Sequence, residues 1–254
     1  MKDRPKLVAF DLDGTLAESK QRLSADMAEL LVDLLEHMYI AVMSGASFSQ
    51  FEKQFLPALP VTDKLGKLFL FPTNAAQCYT FKDNAWRARY DKSFNLFEKG
   101  RIMQALKESL EETGLGSVKR NPEWGEQIED RGGQITFSAL GQHAPIEVKS
   151  QWDPDKEKRK PLYLALTRRL PDFSVAMNAT TSVDITPRGI NKAFGIRKLI
   201  EMTEISVGEM LYVGDALEEG GNDSVVKPTG IRTVEVFGPE ETATIIEKLL
   251  KSQI

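Results

Sequence analysis

The chain has 254 residues, of which 41% are hydrophobic and 28% charged, with a formal net charge of −4. That balance is of an ordinary globular protein long enough for two cores, and it excludes a disordered chain. A mildly acidic chain lacks the basic footprint that a phosphate backbone demands, so nucleic acid is not an expected partner.

The first strand-length apolar run, Leu7 to Phe10, leads directly into Asp11-Leu12-Asp13-Gly14-Thr15. Two carboxylates one residue apart at the end of a buried strand resist joint ionisation unless a cation or a proton relieves them. Gly14 and Thr15 permit a turn whose N–H groups line an anion site. Ala25 to Met38 then carries Met27, Leu30, Leu31, Leu34 and Leu35 at helical spacing. Ile40 to Met43 predicts a second strand that ends on Ser44-Gly45, a hydroxyl and a backbone N–H at the same sheet edge. Leu68 to Phe71 predicts a third.

Between about Phe81 and Asp184 the alternation breaks. A helical stretch, Leu96 to Glu112, precedes a strand-like run from Gln134 to Leu140 and a heavily charged helix expected over Asp155 to Leu170. Phe173 to Met177 and Ser182 to Ile185 read as further strands. A crossover in a parallel sheet needs one helix and short loops, so a segment this long predicts an inserted domain. Strands segregated from helices suggest an antiparallel sheet with helices on one face. The expected division is a core of residues 1–81 and 186–254 and an insert of 82–185.

After the insert, Lys192 opens a helical stretch running through Ala193 to Met202. A lysine there can neutralise both a phosphate and crowded carboxylates. Met210 to Val213 predicts a strand followed by Gly214-Asp215 and then Gly220-Gly221-Asn222-Asp223. Ile231 to Phe237 and Glu240 to Leu250 complete the pattern. Alternating buried strands and amphipathic helices predict an α/β, doubly wound parallel sheet. Ligands of such sheets gather outside the carboxyl ends of the strands, which brings Asp215 beside Asp11 and Asp13. With Asn222 or Asp223 in support, this is an oxygen-rich site suited to Mg²⁺. Singly, a Ser-Gly pair reads as a turn and a lysine as a surface residue; their joint occurrence in this order carries the signal.

Cys78 is the only cysteine, which excludes an internal disulfide and a cysteine-based zinc site. No stretch approaches the ~20 apolar residues that span a bilayer, and the run before Asp11 is too short for a signal peptide's apolar core. No membrane partner is expected, and the expected compartment is cytoplasmic. Oligomeric state is not legible.

The set Asp11/Asp13-Gly14-Thr15, Ser44-Gly45, Lys192 and Gly214-Asp215 with Asn222-Asp223 resembles the four motifs of the haloacid dehalogenase superfamily of phosphatases and phosphomutases. The resemblance implies a Rossmann-like core with an inserted α+β cap of the C2 type. Within the superfamily the pattern is closest to eukaryotic-type phosphomannomutases, through Gly220-Gly221-Asn222-Asp223 and Gly238-Pro239-Glu240-Glu241-Thr242. Arg120, Arg131 and Ser182-Val183-Asp184 are placed like cap residues that hold the sugar phosphate there. Where that family has an arginine after its Pro-Ile-Gly segment, this chain has Ala139-Leu140-Gly141-Gln142, which removes one charged grip.

The resemblance implies that Asp11 is the nucleophile and Asp13 the general acid and base. Asp11, Asp13 (by its backbone carbonyl), Asp215 and Asp223 hold the metal. Thr15, Ser44, Gly45 and Lys192 bind phosphate. A Mg²⁺-dependent phosphatase acting on a small phosphorylated metabolite is the expectation drawn from Gln142. A sugar phosphomutase is the alternative, and a non-catalytic sugar-phosphate sensor is the alternative from another class.

Overall fold

The computed structural model describes residues 4–19, 21–119, 121–178 and 180–251. Arg120 lies outside the described residues. The chain forms two compact units, one of residues 1–91 and 191–254 and the other of residues 92–190.

The first unit is built on a seven-stranded sheet. In chain order its strands are β1 (Leu7–Asp11), β2 (Tyr39–Met43), β3 (Leu68–Phe71), β4 (Gln77–Lys82), β5 (Ala85–Asp91), β10 (Met210–Gly214) and β11 (Arg232–Glu235), and in space they run β11-β10-β1-β2-β3-β4-β5. The five strands from β11 to β3 are parallel, whereas β4 and β5 add on antiparallel.

Every residue of β1 is buried, and alternate side chains enter different cores. Val8 and Phe10 pack with Met27, Leu31, Leu34 and Leu35 of helix α1 (Ala25–His37) and with Ile246 near the C-terminus. Leu7 and Ala9 pack with Ile196 and Leu199 on the other face. A strand covered on both sides reads as an unbroken apolar run, which is why the parallel strands stood out in the sequence. Helix α1 starts where the Ser24 hydroxyl accepts from Met27 N at 3.2 Å, a cap that contributes about 1 kcal/mol.

The insert boundary differs from the expected one. Residues 82–91 stay with the first sheet because β5 pairs with β4 from Gln77↔Asp91 to Lys82↔Ala85. At the other end β9 (Ser182–Pro187) completes the second unit's sheet, and the chain returns to the first unit at Asn191.

The second unit holds an antiparallel sheet of order β6-β7-β9-β8, with β6 at Ile128–Asp130, β7 at Ile135–Ser138 and β8 at Phe173–Asn178. Ile135, Phe137, Val183 and Ile185 pack against Ile102, Leu106 and Leu110 of α3 (Leu96–Thr113) and against Leu162 and Leu166 of α5 (Lys160–Arg169). Two shorter helices, α2 (Phe48–Gln54) and α4 (Ile146–Trp152), were not expected from the sequence.

The charged helix begins at Lys160 rather than at Asp155. The Asp153 carboxylate accepts from Lys158 N at 2.8 Å and Arg159 N at 3.3 Å, which folds residues 153–159 into turns. It also pairs with Arg159 Nε at 2.7 Å, and Arg159 Nη1 donates to the carbonyls of Asn178 and Ser182, each at 2.9 Å. The start of the charged stretch therefore contains a buried Asp153–Arg159 brace.

Candidate active site

The carboxyl ends of β1, β2 and β10 lie side by side. Asp11 is paired with Met43, so Ser44 follows one residue beyond, and Phe10 is paired with Val213, so Gly214-Asp215 follows next to Asp11. Helix α6 (Lys192–Thr203) starts with Lys192, its first turn fixed by Asn191 Oδ1, which accepts from Phe194 N at 3.1 Å. Residues remote in sequence converge because each sits at a strand or helix end on the same edge of the sheet.

Lys192 is 1% exposed and donates from Nζ to Asp11 Oδ1 and to Asp223 Oδ1, each at 2.5 Å. The same Asp223 oxygen accepts from the Tyr212 hydroxyl at 2.5 Å, and Asp223 Oδ2 accepts from Ala216 N at 3.2 Å. Asp223, itself fully buried, thus spends three acceptor positions holding Lys192, strand β10 and the following loop together. Tyr212 was missed by the sequence reading, because a tyrosine inside a buried strand carries no signal that sets it apart from other apolar residues.

Among the described residues Asp11, Asp215 and Asp223 form one acidic group whose ligand oxygens lie within 4.8 Å of one another. The Asp13 carboxylate is not part of it; Asp13 is half-buried and bridges in the backbone to Ala17. Gly14 makes the close approach possible. At φ +80 a Cβ on it would stand 2.3 Å from Asp215 Oδ2, well inside contact distance.

The charges respond to this crowding. Burial, reinforced by Asp223 and Asp215 and opposed by Lys192, holds the Asp11 carboxyl well above the usual carboxylate range. Asp215 is pushed up to about 6 by burial first and by Asp223 next. Burial works to raise Asp223 too, but the Lys192 ammonium outweighs it and keeps that carboxyl below its ordinary value. Burial would depress Lys192; Asp11 and Asp223 overcome it and hold the amine charged. Were all three carboxyls ionised, the one ammonium would leave two negative charges, the deficit that one divalent cation balances.

Two further atoms fit a site built for a ligand. Thr15 Oγ1 and Asn222 Oδ1 are buried with no hydrogen-bond partner in the protein, a state that native structures tolerate where a ligand or ion completes the bonding. Ser44 is 2% exposed, and its hydroxyl oxygen accepts from Ala46 N at 3.0 Å. Gly45 follows it in the same loop, which runs from the end of β2.

In the second unit, Glu129, Thr136, Asp184 and Ala176 stand in cross-strand register on the sheet face opposite the helices. Asp184 is 6% exposed; its Oδ2 accepts from Asn178 Nδ2 at 2.8 Å, and its Oδ1 is buried without a partner. Ser182 pairs with Ser138 across the sheet. Arg131 is gripped by Glu129 Oε2 through Nε at 2.9 Å and Nη2 at 2.7 Å, and Nη2 also reaches Gln142 Oε1 at 3.3 Å. The structure therefore adds Glu129 and Asn178 to a face from which the sequence had singled out Arg131, Ser182 and Asp184.

A profile of the family described as eukaryotic phosphomannomutase matches residues 27–252. The chain belongs to that family. It is 26% identical to the "Probable phosphomannomutase" of Caenorhabditis elegans over 96% of this chain and 95% of that one. Its fold is shared with a haloacid dehalogenase-like hydrolase from Bacteroides thetaiotaomicron, at TM-score 0.64 and 17% identity, covering 96% of this chain and 99% of that one. It is also shared with the C-terminal domain of C. albicans trehalose-6-phosphate phosphatase, at TM-score 0.67 and 16% identity, covering 98% and 92%. The protein is thus an enzyme of the phosphomannomutase family on a haloacid dehalogenase α/β fold. Among the described residues no helix is long and apolar enough to cross a membrane.

Proposed function

We propose that this enzyme moves a phosphoryl group between two positions of a hexose phosphate, through an aspartyl-phosphate formed on Asp11. The observation that carries the reading is the Lys192 clamp. It fixes Asp11 by Oδ1 at the end of β1, within the acidic group that Asp11 forms with Asp215 and Asp223, in a chain that matches the mutase family over residues 27–252.

In this reading an Asp11 oxygen attacks phosphorus in line; the Asp11–phosphorus bond forms as the ester bond to the sugar oxygen breaks. Asp13 gives that oxygen its proton and later takes a proton from the acceptor hydroxyl. Lys192, Thr15, Ser44 and the Gly45 amide stabilise the phosphoryl oxygens. Asp11, Asp215, Asp223 and the Asp13 carbonyl are the groups that would hold Mg²⁺, which when bound neutralises phosphoryl charge. Asp223 contributes chiefly as the anchor of Lys192. Arg131, Ser182 and Asp184 are assigned to recognition of the sugar phosphate, as is Arg120.

Plain hydrolysis, the expectation drawn from Gln142, is the second reading, and one observation favours it. Arg131 is already neutralised by Glu129, and its further neighbour Gln142 brings no charge of its own, so this position offers little net attraction for a distal phosphate. The membership of the mutase family supports transfer to a sugar hydroxyl more strongly than transfer to water. Phosphorus NMR on mannose 1-phosphate and glucose 1-phosphate, with a bisphosphorylated sugar as activator, decides between them. Formation of 6-phosphate many times faster than inorganic phosphate is expected; release of inorganic phosphate alone would overturn the mutase reading in favour of the hydrolase.

A further inference from the structure

The four residues after β3, Pro72-Thr73-Asn74-Ala75, make a turn of the wrong hand. Thr73, Asn74 and Ala75 have φ of +51, +53 and +69, three successive residues in the left-handed region, and none of them is glycine. L-residues visit this region singly and at a cost, so a run of three persists only where the surroundings fix it.

Its bonds show what fixes it. Thr73 N donates to Ala46 O at 2.8 Å and Asn74 N donates to Ser44 O at 2.9 Å, so the turn grips the Ser44-Gly45-Ala46 loop at both ends. Ser44 N in turn donates to Phe71 O at 3.1 Å. From the far side the Tyr90 hydroxyl of β5 donates to Ala75 O at 2.9 Å.

The same turn meets helix α6. A Cβ added to Gly195 would stand 2.9 Å from Ala75 Cβ and 3.1 Å from Met43 Cε. Gly195 lies three residues after Lys192, one turn along the same helix face. The missing side chain lets α6 settle onto Ala75 one turn from Lys192.

We propose that the left-handed turn at residues 73–75 is a positioning element that locks the Ser44-Gly45 loop and the Lys192 helix into one geometry around Asp11, with Ala75 seated against Gly195 as the contact that sets it. Thr73, Asn74, Ala75, Gly195 and Tyr90 are not among the residues assigned to the phosphoryl group or the metal, so their role is positioning. The proposal rests on the phosphoryl-transfer reading, and it gives β5 a role beyond its pairing with β4: it supplies the Tyr90 brace.

The test is a double-mutant cycle in the full chain, reading Tm, kcat and KM. Gly195→Ala should lower Tm and cut kcat by about 10- to 100-fold, with KM changing far less, because a small misplacement of Lys192 costs the transition state most. Ala75→Gly relieves the φ +69 strain and removes the nearest obstacle to the new methyl, leaving only the flexible end of Met43 to give way. Gly195→Ala combined with Ala75→Gly should therefore recover most of both kcat and Tm. Wild-type kcat in Gly195→Ala, or a double variant as impaired as the single, overturns the proposal. Should Gly195→Ala fail to fold, Tyr90→Phe carries the test: it should keep its fold and lose kcat several-fold at nearly constant KM, and wild-type kcat there is the overturning result. Asp11→Asn serves as the separate control, since turnover retained in that variant removes the phosphoryl-transfer reading itself, whereas turnover lost there and unaltered in Gly195→Ala removes the positioning role alone.

Discussion

Lys192 and Asp223 form an ion pair at 2.5 Å whose side chains are 1% and 0% exposed, and the carboxylate holds Tyr212 and Ala216 as well. Breaking a buried pair by removing one member costs about 3–5 kcal/mol; Lys192 keeps Asp11 as a second partner, which places Asp223→Asn at the lower end of that range. Asp223→Asn is expected to lower Tm by roughly 10 °C and to abolish turnover. Tyr212→Phe removes one hydrogen bond and is expected to cost about 1–3 kcal/mol, with part of the activity kept. Denaturant titrations of the two variants beside wild type check both magnitudes.

Asp11 behaves oppositely. Its carboxyl is held above the usual range by burial first, with Lys192 opposing and Asp223 and Asp215 adding to the rise, so the folded site favours the neutral side chain. Asp11→Asn is expected to fold with a Tm near that of wild type while losing turnover entirely, and to lose the binding of beryllofluoride that mimics an aspartyl-phosphate. Circular dichroism and a turnover assay on one preparation read both.

Asp215 gives a pH dependence with a definite sign. Its folded-state value, about 6, lies above the ordinary 3.8. Below both values the group is protonated whether folded or not. As pH rises from near 4 to near 6 the unfolded chain ionises first, so the metal-free protein loses stability across that window. Mg²⁺ reverses the balance by favouring the ionised form, and its affinity should fall roughly tenfold per pH unit below about 6. Thermal melts with and without Mg²⁺ at a series of pH values test both statements, and a flat profile would remove Asp215 from the metal site.

Gly14→Ala places a methyl 2.3 Å from Asp215 Oδ2 in a backbone conformation of φ +80. Mg²⁺ affinity is expected to fall by at least about tenfold, since Asp215 must swing away. Isothermal titration with Mg²⁺ alone measures this without reference to any substrate.

The Glu129–Arg131–Gln142 chain in the second unit should set the balance of products. Gln142→Arg adds a cation beside Arg131 and is expected to raise isomerisation relative to phosphate release. Arg131→Ala should raise KM for a hexose phosphate far more than for p-nitrophenyl phosphate, and equal losses on both would mean that Arg131 serves folding instead.

The sequence by itself determined the parallel sheet and the acids at its edge. Leu7–Phe10 and Met210–Val213 are apolar throughout because both faces are covered, and Asp11 and Asp215 follow where each strand must end. Those are local signals, readable within ten residues. Which acid answers to which partner was decided only in three dimensions. Asp11 and Lys192 are 181 positions apart, and nothing near Asp223 announces that its acceptors are taken by Lys192, Tyr212 and Ala216. Strand β5 escaped notice because its alternating charged residues, Arg87 and Arg89, are exposed and leave only a weak apolar pattern. The left-handed turn escaped for another reason: Thr73 and Ala75 have no intrinsic preference for positive φ, and bonds from the turn to the carbonyls of Ser44 and Ala46 and from the hydroxyl of Tyr90, all remote in sequence, help hold it there.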